Sequence, residues 1–377
     1  MKVLLISHTC QSRTEGQPRA QALGRIEGVE LLLLTPERWM HYGQWRRAQQ
    51  PIEPSFRFQK SRIALPWLGP IQNYAHFYPA LGASLSRFRP DIIDLWEEPW
   101  GLVSAQAAWL RERIVPHARL VVETEQNIFK KLPPPFETVR SYTLKRADVV
   151  IARSSEAADV VRRKGYSGPL EVVPNAVDAE LFRPLNRAQC RSELSLSGFV
   201  VGYVGRLVEE KGLEDLLEAL ALCSPQVNLL LVGDGEWKQV LEDKVRALSL
   251  GERVRFEAAR PLQELPKVMN AIDVLALPSR TTASWKEQFG RVLIEAGACA
   301  TPVIGSDSGA IPDVVGEGGL IVPERNPQAL AQAIEKLAGD EALCRSMGEA
   351  GRAQAESRYT WERVAQQMHG VYKSLLA

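Results

Sequence analysis

Two glutamates eight residues apart bracket a glycine in the stretch Glu287-Gln288-Phe289-Gly290-Arg291-Val292-Leu293-Ile294-Glu295. If Gly290 lies where a loop becomes a helix, the amides of Arg291, Val292 and Leu293 are orphan donors. Such donors suit a phosphate, and the helix dipole adds to the attraction. Glu295, just over one turn inside, is then placed to accept from two vicinal hydroxyls, and Glu287 to reach the group beyond the phosphate. A pair of carboxylates also fits a retaining glycosidase, provided they stand ~5–5.5 Å apart around a sugar. A second cluster is Val204-Gly205-Arg206-Leu207-Val208-Glu209-Glu210-Lys211-Gly212. Gly205 permits close backbone approach, and Arg206 with Lys211 places two cations where a diphosphate could be neutralised, although a solvated loop with two surface cations reads the same way. A third, Gly305-Ser306-Asp307-Ser308-Gly309, has the outline of a nucleophile elbow, but Asp307 stands where the serine must be. Gly233-Asp234-Gly235 lacks the third glycine of a dinucleotide fingerprint, with Lys238 in its place. The chain has no P-loop signature and no Asp-x-Asp pair for a metal-held diphosphate.

These residues need elements to position them. Short apolar runs predict strands at Val3–Ser7, Glu30–Leu34, Ile92–Leu95, Leu120–Glu123, Val149–Ala152 and Glu171–Val173. A second series follows at Val200–Val204, Val227–Val232, Val254–Phe256, Val274–Leu277, Pro302–Gly305 and Gly319–Val322. Helical patterns such as Leu213–Leu222, Glu236–Leu248 and Arg291–Ala298 lie between many of them, and Tyr359–Leu376 reads as an amphipathic helix. Strand–helix alternation in two series predicts two doubly wound α/β domains. The polar stretch Asp178–Gly198 is the expected break, giving domains over 1–180 and 199–358, a connector over 181–198 and a terminal helix over 359–377.

Composition narrows the class. With 377 residues the chain exceeds what one core usually organises. A formal charge of +1 removes the cue for nucleic acid. No apolar run approaches a membrane span, and the apolar N-terminus is too short for a signal-peptide core. The five cysteines are odd in number and never in C-x-x-C spacing, and the five histidines show no ligand spacing; a reducing, cytoplasmic setting without a metal site is expected.

Together, Gly205-Arg206 with Lys211-Gly212, the Glu-x7-Glu of Glu287 and Glu295, the stretch Thr301-Pro302-Val303-Ile304-Gly305-Ser306-Asp307-Ser308-Gly309, and Val173-Pro174-Asn175-Ala176-Val177-Asp178 resemble the retaining GT-B glycosyltransferases of family 4. The likeness covers the second half and, more weakly, the first. It implies two Rossmann-like domains facing across a cleft, with the C-terminal helix crossing back to the first. A nucleotide sugar would sit on the second domain and the acceptor mainly on the first. Arg206 and Lys211 would stabilise the leaving nucleoside diphosphate without a metal, so no cofactor is expected. Glu295 would hold the ribose, and Glu287, with the amides near Phe289 and Gly290, the donor sugar. Arg260 and Leu262 would contact the base, although the glycine usual there is missing.

The first half departs from the family pattern. The loop Thr9–Pro18 keeps only Gly16 of its paired glycines. The segment where many members carry a histidine reads Glu123-Thr124-Glu125-Gln126-Asn127. Glu125 or Gln126 would take that place, with His8 at the end of the first strand as a further candidate and Asn175 joining the acceptor side; His117 falls before its strand. Trp96-Glu97-Glu98-Pro99-Trp100 and Pro133-Pro134-Pro135-Phe136 are similar to members that assemble exopolysaccharide or lipid-linked glycans. Six of nine tryptophans (Trp39, Trp45, Trp67, Trp96, Trp100, Trp109) fall here and could line the acceptor side or pack a core. Arg57–Tyr78, with Lys60, Arg62, Trp67 and Leu68, could rest on an anionic membrane. The expected activity is hexosyl transfer from a UDP- or GDP-sugar to a hydroxyl of a glycan or lipid-linked acceptor in surface polysaccharide assembly. It would take place in the cytoplasm or on the inner face of the membrane. A nucleotide-sugar epimerase or phosphorylase, or a non-catalytic sugar-nucleotide-binding subunit, are the alternatives.

Overall fold

Parallel strands covered by helices on both faces are buried along their length and read as near-continuous apolar runs rather than alternating. Ile92–Leu95 and Val149–Ala152 are buried at every position, and Lys2–Ile6 at every position after Lys2. The computed structural model describes residues 1–41, 44–65 and 71–377. In it these runs belong to a seven-stranded sheet ordered Arg57–Ser61, Glu30–Pro36, Lys2–Ile6, Ile92–Leu95, Arg119–Thr124, Val149–Ala152, Leu170–Val172. Every neighbouring pair is parallel. A second parallel sheet runs Val254–Glu257, Val227–Val232, Phe199–Val204, Val274–Leu277, Val303–Ser306, Gly319–Val322. Each is doubly wound: the winding reverses between Lys2–Ile6 and Ile92–Leu95 in the first and between Phe199–Val204 and Val274–Leu277 in the second.

The chain divides into one unit of Met1–Pro174 with Trp361–Ala377 and another of Asn175–Thr360. These limits differ from the expected 180/181 and 358/359. The stretch 181–198 is no free connector: it forms the helix Arg187–Glu193, whose Asn186 side chain caps it by accepting from the Gln189 amide. Cys190 and Leu194 from this stretch join the core of the second unit. Val177 pairs with Thr360 in an isolated parallel bridge, so the two points where the chain changes unit lie side by side. The terminal helix Trp361–Leu376 packs on Gln17–Gly24, and its Tyr372 hydroxyl donates to buried Asp94 at 2.6 Å.

Two features escape the hydrophobic pattern. Arg57–Ser61 adds a parallel edge strand whose Arg57 and Lys60 are exposed, and Arg38–His41 forms an antiparallel hairpin with Gln44–Arg47. Charged edge strands resist further pairing, which is why they carry no apolar signature. Within Arg57–Tyr78, Ile63 and Tyr78 are buried, Ile71 is exposed, and Arg62 pairs with Glu37 at 3.6 Å. Trp67 and Leu68 lie outside the described residues.

Candidate functional site

Crevices in open parallel sheets lie at the carboxyl ends of the strands that flank the reversal of winding. In the second unit the loop after Phe199–Val204 begins with Gly205 and runs against the loop holding Gly233. A Cβ on Gly233 (φ +152°) would stand 1.8 Å from the Gly205 carbonyl oxygen, so backbone meets backbone there. The Tyr203 hydroxyl donates to the Arg206 carbonyl at 2.6 Å and fixes the loop from below. A single turn, Glu209–Lys211, ends at left-handed Gly212, which opens the helix Leu213–Leu222.

That path brings Lys211 to Glu287, 76 residues away. Lys211 Nζ donates to Glu287 Oε2 at 2.5 Å, and the Ser279 hydroxyl donates to the same oxygen at 2.9 Å. The ammonium also lies 4.8 Å from the Trp285 ring. Both charged side chains are mostly buried, 15% and 10% exposed, so the pair depends on this close geometry to offset its desolvation. Arg206 lies at the rim, 46% exposed, with Glu210 3.7 Å away. The Gly305–Gly309 segment braces the site: Ser306 donates to the Ser279 carbonyl at 2.5 Å, and Ser308 and Thr281 hydroxyls meet at 2.9 Å. Arg280 grips Asp215 with two hydrogen bonds of 2.6 and 2.7 Å and locks the next loop position to the helix that follows Lys211.

Gly290 is left-handed (φ +79°) and starts the helix Arg291–Ala298, as the sequence suggested. The Leu293 amide is not an available donor, however. It bonds the Gly290 carbonyl at 2.9 Å, closing the first turn, and its side chain is in the core. Arg291 and Val292 retain the helix-start position. The Phe289 ring is also core, edge-on to Tyr359 at 5.8 Å, so only its backbone is placed for a ligand. Glu295 is buried with Arg291 3.8 Å away; burial raises its pKa above the usual carboxylate range, and Arg291 partly offsets this. Arg260 is tied to Glu257 at 2.9 and 2.5 Å, and Leu262 packs against the core, both on the loop after Val254–Glu257.

In the first unit the reversal of winding joins His8, after Lys2–Ile6, to Glu97, after Ile92–Leu95. Glu97 takes the His8 amide at 2.6 Å and its Nδ1 at 2.7 Å. Trp39 stacks on the imidazole at 4.5 Å, and the buried His76 stands edge-on to Trp39, its Nε2 3.8 Å from Glu97. Burial opposes the Glu97 charge, but His8 and His76 overcome it and hold its pKa down to about 2. His8 is raised: burial works against its cation, while Glu97, Glu125 and Glu98 together outweigh it. Glu98 is pushed up to about 8, chiefly by burial; the Thr124 hydroxyl and Glu125 amide donate to it at 2.6 and 2.8 Å.

Other expected acceptor-side residues separate. Gly16 is a packing glycine: a Cβ would lie 2.6 Å from the Cys10 amide nitrogen, so it is needed for the close turn before Gln17–Gly24. Glu125 leans towards Arg153 at 3.9 Å, and Gln126 folds back to accept from the Ile128 amide at 3.4 Å. Asn175 belongs to the second unit. Trp39 and Trp100 are buried, whereas Trp45 and Trp109 are nearly half exposed. Sequence reasoning missed Ser279, Trp285, Glu97 and His76, which become site residues only once the strand order is known. Among the described residues no helix is long and apolar enough to cross a membrane.

Two doubly wound parallel sheets, each with charged side chains gathered at its reversal point, define a Rossmann-like α/β class of fold. The second half, 189–354, matches the family profile for glycosyl transferases group 1, and 20–181 matches glycosyltransferase family 4. A D-inositol 3-phosphate glycosyltransferase of Corynebacterium urealyticum is 31% identical over 72% of this chain and 70% of its own length. Its counterpart in Segniliparus rotundus is 31% identical over 73% of this chain, which spans 65% of that relative's length. Sucrose-phosphate synthase from Thermosynechococcus elongatus superposes with a TM-score of 0.78 at 26% identity, covering 100% of this chain and 99% of that one. The chain belongs to the group 1 glycosyltransferases of family 4, with the GT-B architecture of two Rossmann-like domains.

Proposed function

We propose that the protein is a retaining hexosyltransferase that needs no metal. It would pass a hexose from a UDP- or GDP-sugar to a hydroxyl of a glycan or lipid-linked acceptor in surface polysaccharide assembly. The observation that carries this is the Lys211–Glu287–Ser279 cluster beside the Gly290 helix start: a fixed cation and a fixed carboxylate where a phosphate and a sugar would adjoin. In this reading the amides of Arg291 and Val292 take the distal phosphate, and Arg206 swings from the rim onto the diphosphate. Glu295 accepts from the two ribose hydroxyls, whose hydrogen bonds favour the charge that burial disfavours. Glu287 accepts from sugar hydroxyls and offsets developing positive charge at the anomeric carbon.

The acceptor hydroxyl attacks that carbon on the face the diphosphate leaves, and its proton passes to the departing phosphate oxygen. Since the leaving group is already good, positioning and charge stabilisation account for most of the rate gain. Relatives about 30% identical are named for transfer onto an inositol phosphate, which supports a hydroxyl acceptor. The test is incubation with UDP- and GDP-hexoses in EDTA, with and without glycan and lipid-linked acceptors, followed by NMR of the product anomer. Transfer with retained configuration supports the reading. Donor consumption without glycosylated product would identify an epimerase or phosphorylase, and donor binding with no turnover a binding subunit.

A further inference from the structure

The first unit holds a cleft whose lining carries no apolar side chain. It has a volume of about 280 Å³ and is bounded by Gln11, Ser12 and Glu15, which follow the first strand, and by Arg46, Arg47 and Gln49, at the end of the hairpin. Small-molecule pockets are mostly apolar, with a few placed polar groups. A lining of amide, hydroxyl, carboxylate and guanidinium groups suits instead a ligand that is polar on every side, as a sugar is.

Backbone contacts fix the walls. The Gln49 amide donates to the Gln11 carbonyl at 2.9 Å, and the Arg13 amide donates to Gln49 Oε1 at 2.9 Å. The Gln17 side chain donates to the Cys10 and Gln49 carbonyls at 3.1 and 2.9 Å. Gln11 is 7% exposed, and its Oε1 accepts no hydrogen bond among the described residues. A ligand hydroxyl reaching the floor of the cleft would supply the missing donor.

The hairpin supplies the charge. Arg38 stands directly opposite Arg47 across its two strands, a like-charge pairing that weakens a ladder. The Arg38 guanidinium lies 5.1 Å from the centre of the Trp45 ring. Arg46 and Arg47 are exposed and make no ion pair among the described residues. Of the nearby acids, Glu37 is engaged by Arg62 at 3.6 Å, which leaves Glu15 alone against two guanidinium groups in the cleft. Such groups offer forked donors that match a carboxylate or a phosphate. The single turn Thr9–Gln11 starts from His8, so Gln11 lies only ~6 Å along it, at the carboxyl end of the first strand.

We infer that the cleft is a subsite for an acidic sugar of the acceptor glycan. The carboxylate or phosphate of that sugar lies on Arg46 and Arg47, and its hydroxyls on Gln11 and Glu15. The inference names the acceptor class of the proposed function and rests on that reading only for the transfer step.

The test is titration of the full chain, followed by ligand NMR, with the methyl glycosides of glucuronic and galacturonic acid, their neutral methyl esters, and galactose 6-phosphate. The variant is Arg46→Gln/Arg47→Gln, with folding checked by circular dichroism and UDP and GDP binding measured in parallel. The inference expects an acidic sugar to bind at least about tenfold more tightly than the esters, as one charge-assisted contact implies. The variant should erase that difference and leave ester and nucleotide binding unchanged. Preference for a uronate identifies a carboxylate ligand, and preference for the sugar phosphate a phosphate. Equal binding of acids and esters, no binding of any at millimolar concentration, or a preference that survives the double substitution overturns the inference. So does inorganic phosphate that binds as tightly as the acidic sugars, since the cleft would then take any anion. Failure of the wild type to bind UDP and GDP would count against the donor reading and leave the subsite result standing.

Discussion

Glu287 holds its position through Lys211 and Ser279, and this makes its role measurable. Replacing it with glutamine keeps the shape but removes the charge proposed to face the anomeric carbon; loss of one oriented charge contact costs ~3–4 kcal/mol, or roughly 10²–10³ in kcat. KM for the donor should change far less, and a variant with unchanged kcat would contradict the assignment. Across the other sheet, the His8–Glu97 pair predicts a pH signature. Glu97, lowered to about 2, contributes stability that is complete above its ordinary 4.5 and lost as pH falls through about 2. His8, raised from 6.5, contributes stability complete below 6.5 and lost as pH rises through the raised value. Glu97→Gln should therefore lower Tm most between these limits and least at either extreme. A uniform drop across pH would mean the contact acts through packing alone. Residues such as Glu97 were not legible as site groups beforehand because nothing in Trp96-Glu97-Glu98 marks a carboxylate that meets a histidine 89 positions away.

At the scale of elements, the site is an outcome of where strands end. Gly205, Lys211 and Glu287 were visible as types at spacings, and the central strands were visible because they are mostly apolar, with Asp94 and Glu123 as buried charged exceptions. What periodicity could not show was that the loops after Phe199–Val204 and Val274–Leu277 are neighbours, since that follows from strand order. The same limit hid Arg57–Ser61, a strand read as a basic surface because its edge position leaves its charges in water. Two glycines test the loop architecture. Gly212 is left-handed (φ +65°) and its Cβ would lie 2.0 Å from the Pro278 carbonyl oxygen, on the loop leading to Ser279. Gly212→Ala should cost at least ~1–3 kcal/mol from backbone strain alone, measured by urea denaturation, and should weaken nucleotide binding by parting Lys211 from Glu287. Gly251 has open space around its Cβ position and no such φ, so Gly251→Ala should be near neutral. Equal costs at both positions would contradict the close-approach argument.

At the scale of the whole molecule, the chain leaves its first unit at Pro174 and returns at Trp361, and the return is fastened in the interior. Arg19 bonds Asp94 at 2.8 Å and Glu123 at 2.9 Å, Arg153 pairs with Glu123, and Tyr372 of the last helix donates to Asp94. Tyr372→Phe removes a donor from a buried carboxylate and should destabilise the protein by ~1–3 kcal/mol; an unchanged Tm would show that the last helix is not held there. The amphipathic pattern announced that helix but gave no sign of its partner, because a tyrosine at a buried helical position reads simply as core. The central claim concerns the second unit, and calorimetric titration of the metal-free protein with UDP and GDP addresses it most directly, beside an Arg206→Ala/Lys211→Ala variant. The account predicts tight binding of one nucleoside diphosphate in EDTA, lost in the folded variant. Absence of binding to either at millimolar concentration, or binding that survives the double substitution, would contradict it.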